Sequence, residues 1–107
     1  MEWSRHLQKE FQQIAKLRDK IDEIDRKMVR LINQRAIYAD QIGDIKRKLG
    51  LPVYVPEREE QVIENVKKNN PGPLSAEAIG RIYERIIDES RRLEREEMER
   101  KQNKHEK

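Results

Sequence analysis

Apolar side chains recur on a seven-residue register through the first half of the chain. One row runs Leu7, Ile14, Ile21, Met28, Arg35, Ile42 and Leu49, and a second runs Leu17, Ile24, Leu31, Tyr38 and Ile45. Sustained over this many heptads, the pattern predicts one long α-helix across 17–49 with a narrow buried seam. Residues 1–16 read as a helical lead-in, with Trp3, Leu7, Phe11 and Ile14 roughly on one face. Lys48, Leu49 and Gly50 supply the basic last turn and the glycine expected at a helix stop. The segment Leu51-Pro52-Val53-Tyr54-Val55-Pro56 alternates like a strand. Its prolines disfavour that, and no partner strand exists, so it reads as an extended loop.

Pro56 suits the first turn of a second helix, with Glu57, Glu59 and Glu60 near the positive end of the helix dipole. Its inward stripe is Glu59, Val62, Ile63 and Val66, and Asn69-Asn70-Pro71-Gly72-Pro73 ends it. Ser75 caps a third helix whose stripe is Ile79, Ile82, Tyr83, Ile86 and Ile87, continuing as Ser90, Leu93 and Glu94. Beyond Arg95 the chain is almost wholly charged, and a solvated, fraying helical tail is expected. The class is all-α, in three parts: an N-terminal extension over 1–16, a domain over 17–94 and a charged tail over 95–107.

Composition alters this picture in one respect. The chain has 107 residues, 42% charged against 35% hydrophobic, a balance that suits coiled coil or disorder, and the heptads decide for helix. A helix of about forty residues is roughly 60 Å long, whereas a compact domain of about a hundred residues has a radius of gyration near 13 Å. The remaining residues cannot cover such a rod, so a second copy is expected to, with a two-fold dimer as the default.

The net charge of +3, with both signs interspersed and few aromatics, argues against nucleic acid. There is no cysteine, and His6 and His105 lack the spacing of a metal site. Neither a secretory signal nor a membrane span is legible, so a cytoplasmic protein is the expectation.

Four polar residues stand where the packing pattern asks for apolar ones: Arg35, Glu59, Ser90 and Glu94. A buried guanidinium costs several kcal/mol unless it is paired or receives an anion. Lys46 follows Arg35 by three helical turns, about 16 Å along nearly the same face, leaving a gap sized for a small anion. Arg18 borders the seam roughly 25 Å before Arg35, too far to share a small ligand within one chain but well placed in an antiparallel dimer. Taken singly, each residue has a plainer reading. Arg35 could set the register of a coiled coil, Glu59 face the helix dipole, and Ser90 bond back to its own helix.

Jointly, these spacings resemble a known family. Leu17-Arg18-Asp19-Lys20-Ile21-Asp22-Glu23-Ile24-Asp25, Leu31-Ile32-Asn33-Gln34-Arg35, Ile42-Gly43-Asp44-Ile45-Lys46 and Pro56-Glu57-Arg58-Glu59 are similar to the all-helical chorismate mutases, over about Leu17 to Glu94. The resemblance implies a three-helix subunit with a very long first helix, intertwined as a six-helix homodimer. It implies the Claisen rearrangement of chorismate to prephenate in phenylalanine and tyrosine biosynthesis, without cofactor or metal. Such domains are often joined to a larger enzyme of aromatic biosynthesis, so a partner of that kind is a further expectation. A non-catalytic regulatory domain of the same shape is the rival reading.

By the same resemblance, Arg35 and a second subunit's Arg18 would bind the substrate carboxylates, Lys46 would donate to the ether oxygen, and Glu59 would accept from the ring hydroxyl. Arg58 would order the loop and the ring end of the site, and Ser90 would bond near the ring carboxylate. Two positions depart from the common pattern. Val55 replaces a usual aspartate, which leaves only its backbone to contribute. Glu94 stands where many relatives carry glutamine, and it can donate to the ether oxygen only when protonated. Burial and a dianionic substrate would raise its pKa, and Lys46 would lower it.

Overall fold

The structure, a computed structural model, describes residues 2–105, with side chains over 4–103. The side chains of Trp3 and His105 lie outside the described residues, as do Met1, Glu106 and Lys107. Three helices follow one another: α1 (Glu2–Leu49), α2 (Pro56–Lys68) and α3 (Ala76–His105), with no strand among the described residues. The chain divides into two units, one up to Gln34 and one from Arg35 on. No helix among the described residues is long and apolar enough to cross a membrane.

In the first unit, a lone stretch of helix, the seam has nothing of its own to pack against. Counting both units, the α1 seam residues from Ile14 to Leu49 other than Arg35 are 43% to 67% exposed. In the second unit α2 packs along α3. Glu59, Val62, Ile63 and Val66 are half-buried, as the α2 stripe requires. Ile87, at 7% exposed, is the one large apolar side chain that is buried among the described residues. The two helices approach closely at buried Gly80, where a Cβ would lie 2.6 Å from Lys67 Cε.

The ends of the helices are built as their residues dictate. Gly50, at φ 69°, lets the chain turn out of α1: its N–H donates to the Arg47 carbonyl at 3.2 Å, and the Leu51 N–H donates to the Lys46 carbonyl at 2.8 Å. This pair of bonds is a Schellman closure. Val55 caps α2 through its backbone, its carbonyl accepting from the Arg58 and Glu59 N–H groups, with Pro56 in the first turn. Between α2 and α3, Asn70 accepts from the Gly72 N–H and donates to the Leu74 carbonyl. Ser75 Oγ accepts from the Ala78 N–H at 3.1 Å and so caps α3.

Two expectations need correction. Ile82, expected on the inward stripe of α3, is 44% exposed because the buried side of the helix runs through Ile79, Tyr83, Ile86 and Ile87 instead. The tail beyond Arg95 is not simply solvated and fraying. It stays helical to His105, Glu97 is half-buried, and Lys101 Nζ lies 3.0 Å from Asp44 Oδ1 of α1. That solvent-exposed ion pair links the tail to α1.

Gly50→Ala places a Cβ in the left-handed region and should destabilise the fold by about 1–2 kcal/mol, read as a lower urea midpoint, with Gly50→Asn losing less. An unchanged midpoint for Gly50→Ala would show that the α1 stop does not depend on this turn.

Candidate active site

The part of α1 from Arg35, the connection to α2, α2 and α3 surround a cavity of about 610 Å³. Its lining includes seven of the eight residues singled out from the sequence: Arg35, Lys46, Val55, Arg58, Glu59, Ser90 and Glu94. Arg18, the eighth, is an exposed residue of the first unit and is not among the lining residues. The helical register explains the convergence. Arg35 and Lys46 share a face of α1, Ser90 and Glu94 occupy successive turns of α3, and Glu59 comes from the first turn of α2.

Cations dominate the wall. Arg35, Lys46, Arg47, Arg58, Arg91 and Arg95 line the cavity, against the carboxyl groups of Glu59 and Glu94. Several are already engaged. Arg91 Nη2 donates to Glu59 Oε2 at 2.7 Å, and its guanidinium carbon lies 4.5 Å from the Tyr54 ring centre. Arg47 Nη2 donates to Asp44 Oδ1 at 2.6 Å, the same oxygen that Lys101 reaches. Those two hydrogen bonds, Arg47 first, hold the Asp44 carboxyl below its ordinary range. Arg58 donates to Gln61 on its own helix rather than to the loop. Neither Arg35 nor Lys46 is in a salt bridge among the described residues, which leaves both charges available to a ligand.

The Glu94 side chain lies over Gly43 of α1: a Cβ on that glycine would sit 3.6 Å from Arg47 Nη1 and Nη2 and 3.7 Å from Glu94 Cδ. Burial raises the Glu94 pKa above its ordinary 4.5, and Asp40 adds to the rise, while Arg47, Lys46 and Arg91 oppose it. The principal opposing charge is Arg47, not Lys46 as the sequence suggested. Net desolvation wins, so Glu94 keeps its proton to higher pH than a free glutamate and can act as a hydrogen-bond donor.

Sequence reasoning missed Arg47, Arg91, Arg95 and Met98 in the lining, and Tyr38 of the seam lines the cavity as well. Arg47 and Arg91 directly follow Lys46 and Ser90, so a face wider than the heptad seam would have included them. Among the described residues no cluster of His, Cys, Asp or Glu could hold a metal ion. A cavity of this size, with six cations against two carboxyl groups in its lining, suits a small anion.

Comparison with known proteins decides the family. Residues 17–95 match the model of chorismate mutase type II. The chain belongs to the chorismate mutase type II family. It is 35% identical over 97 residues to the chorismate mutase of Methanocaldococcus jannaschii, an alignment covering 90% of this chain and 98% of that one. It is 40% identical over 88 residues to the bifunctional chorismate mutase/prephenate dehydratase of Aquifex aeolicus, covering 78% of this chain but 24% of that protein's length. Among solved structures, form II of the chorismate mutase from Thermus thermophilus superposes with a TM-score of 0.75 at 35% identity, covering 78% of this chain and 94% of that one. In this chorismate mutase family member the cavity is therefore the place to seek chemistry.

A raised Glu94 pKa has a consequence for stability. The folded chain retains a proton there that the unfolded chain releases, so this contribution is full below the ordinary 4.5 and is lost as pH rises through the folded value. Glu94→Gln removes that loss. Its urea midpoint should gain on the parent's as pH rises from about 4 to about 7, and parallel midpoints would show that Glu94 is not perturbed.

Proposed function

We propose that the cavity binds chorismate and rearranges it to prephenate, and that a second copy of the chain completes the site. The activity itself follows from the family: the chain is a chorismate mutase, an isomerase. The observation that carries the assignment to this cavity is that Arg35, Lys46 and Glu94, whose pKa burial raises, line it together.

The rearrangement is intramolecular. One carbon–oxygen bond breaks as one carbon–carbon bond forms, with no covalent enzyme intermediate. The site therefore needs to hold a compact conformer and stabilise charge growing on the ether oxygen. Arg35 binds a carboxylate through its planar fork, and the partner subunit's Arg18 binds the other. Lys46 and protonated Glu94 donate to the ether oxygen from two helices. Glu59 accepts from the ring hydroxyl, Ser90 bonds near the ring carboxylate, and Arg58 orders the ring end. Val55 contributes backbone and shape where an acid would add charge.

Support for the second copy comes from the exposed seam of α1 and from the sequence spacing of Arg18 from Arg35. An intertwined pair of three-helix subunits covers the seam and brings one chain's Arg18 to the other's Arg35. Relatives that combine chorismate mutase and prephenate dehydratase in one protein support association with a larger enzyme of aromatic biosynthesis.

The shared site has a direct test. Purified protein should consume chorismate, followed by its absorbance, and should sediment as two copies. Arg35→Ala and Arg18→Ala should each lose at least about a hundredfold in kcat/KM. Refolded together in equal amounts, the two variants should recover about a quarter of parent activity, because half the dimers are mixed and each mixed dimer has one intact site. No recovery on mixing, in chains that pair, would mean that Arg18 does not act across subunits.

The rate should also depend on pH. The groups facing Glu94 are Asp40, Lys46 and Arg47 on α1 and Arg91 on α3, with Arg35, Arg58, Glu59 and Arg95 in the same cavity. As pH rises through the Glu94 pKa the donor is lost and kcat falls, and Glu94→Gln should hold its rate across the same range. A parent profile already flat from about pH 5 to about pH 8 would remove Glu94 from the donor role.

A further inference from the structure

Arg91 has none of the roles above, yet it joins three parts of the site. Its Nη2 donates to Glu59 Oε2 of α2 at 2.7 Å and stands 3.5 Å from Asp88 Oδ1 on its own helix. Its guanidinium carbon lies 4.5 Å from the Tyr54 ring centre in the connection to α2. Glu59 and Arg91 line both the main cavity and a second one of about 260 Å³, so the ion pair forms part of the partition between them. The Arg91 Nε is buried and without a hydrogen-bond partner among the described residues, so the guanidinium is held by one edge and one face.

We infer that Arg91 is a positioning residue: by engaging Glu59 Oε2 it fixes the plane of that carboxylate, leaving Oε1 to meet the ring hydroxyl of the substrate. This role rests on the proposed function of Glu59. The physical reason is the softness of the group being held. The terminal torsion of a glutamate is broad and roughly two-fold, so an untethered carboxylate samples many planes and loses part of its directed hydrogen bond. The partners are 40% and 21% exposed, so the pair is part-buried but still partly screened by water, and its contribution to stability is modest. Its effect belongs in catalysis rather than in the melting temperature.

A double-mutant cycle tests it. Arg91→Met, close to isosteric without charge, should lower kcat/KM about tenfold while Tm moves little. Arg91→Lys, which keeps the charge but not the fork, should recover part of the loss. In a Glu59→Gln background the Arg91→Met change should cost less than about twofold, because the group through which Arg91 acts is already altered. Equal losses in both backgrounds would overturn the inference and place Arg91 on the substrate or in packing. So would no loss in the parent background. If Arg91→Met does not fold, the Arg91→Lys cycle decides by the same criterion. A folded parent that leaves chorismate unchanged would instead overturn the proposed function, and this role with it.

Discussion

Half-exposed isoleucines and leucines along α1 set the terms for the rest of the molecule. Fully burying such a side chain is worth about 1.5–3 kcal/mol, so each seam residue left half open forgoes on the order of 1 kcal/mol. Over the seam from Ile14 to Leu49 that reaches roughly 10 kcal/mol, comparable with the whole stability of an ordinary domain. The second unit has little to set against this, with Ile87 as its one buried large apolar side chain among the described residues. In the proposed dimer, folding and pairing are one process, and stability depends on protein concentration. In the proposed site the guanidinium of Arg35 is offset by the bound substrate's charge.

Charge is distributed around that cavity with a division of labour. Asp44 engages Arg47 and Lys101, and Glu59 engages Arg91, so three cations are held in place by acids of the chain itself. Arg35 and Lys46 remain available for substrate. Glu94 sits among these cations and yet resists ionisation, because loss of water around its carboxyl outweighs the attraction of Arg47, Lys46 and Arg91. A glutamine would need no such balance. In the proposed site, a glutamate donor exists only while its proton stays, which would couple the rate to pH.

The helices were legible because their signals are local. The heptads of α1, the glycine at its end, Pro56 at the start of α2 and Ser75 before α3 act within a turn or two of themselves. Arg35, Glu59, Ser90 and Glu94 were legible for a related reason, since a polar group that interrupts an apolar stripe is visible in one dimension, whereas Val55 and Arg58 came only from the family resemblance and Lys46 from its spacing after Arg35. Arg91 gave no such signal. It lies one position off the stripe, next to Ser90, and its partner Glu59 is 32 residues away. Lys101 was hidden in the same way, since nothing in a charged tail distinguishes the one lysine that meets Asp44.

By itself, then, the order of residues determined the class, the three helices, the stop of α1, the starts of α2 and α3, and the polar positions of the candidate site. These follow from backbone hydrogen bonding, capping and periodic burial, which act over a few residues. Tertiary structure alone decided that Arg47 rather than Lys46 is the main charge opposing Glu94, that burial prevails over both, and that Glu59 is tethered by Arg91. Those outcomes depend on distances between helices and on how much water each carboxyl loses, and neither quantity is written in any local stretch of chain.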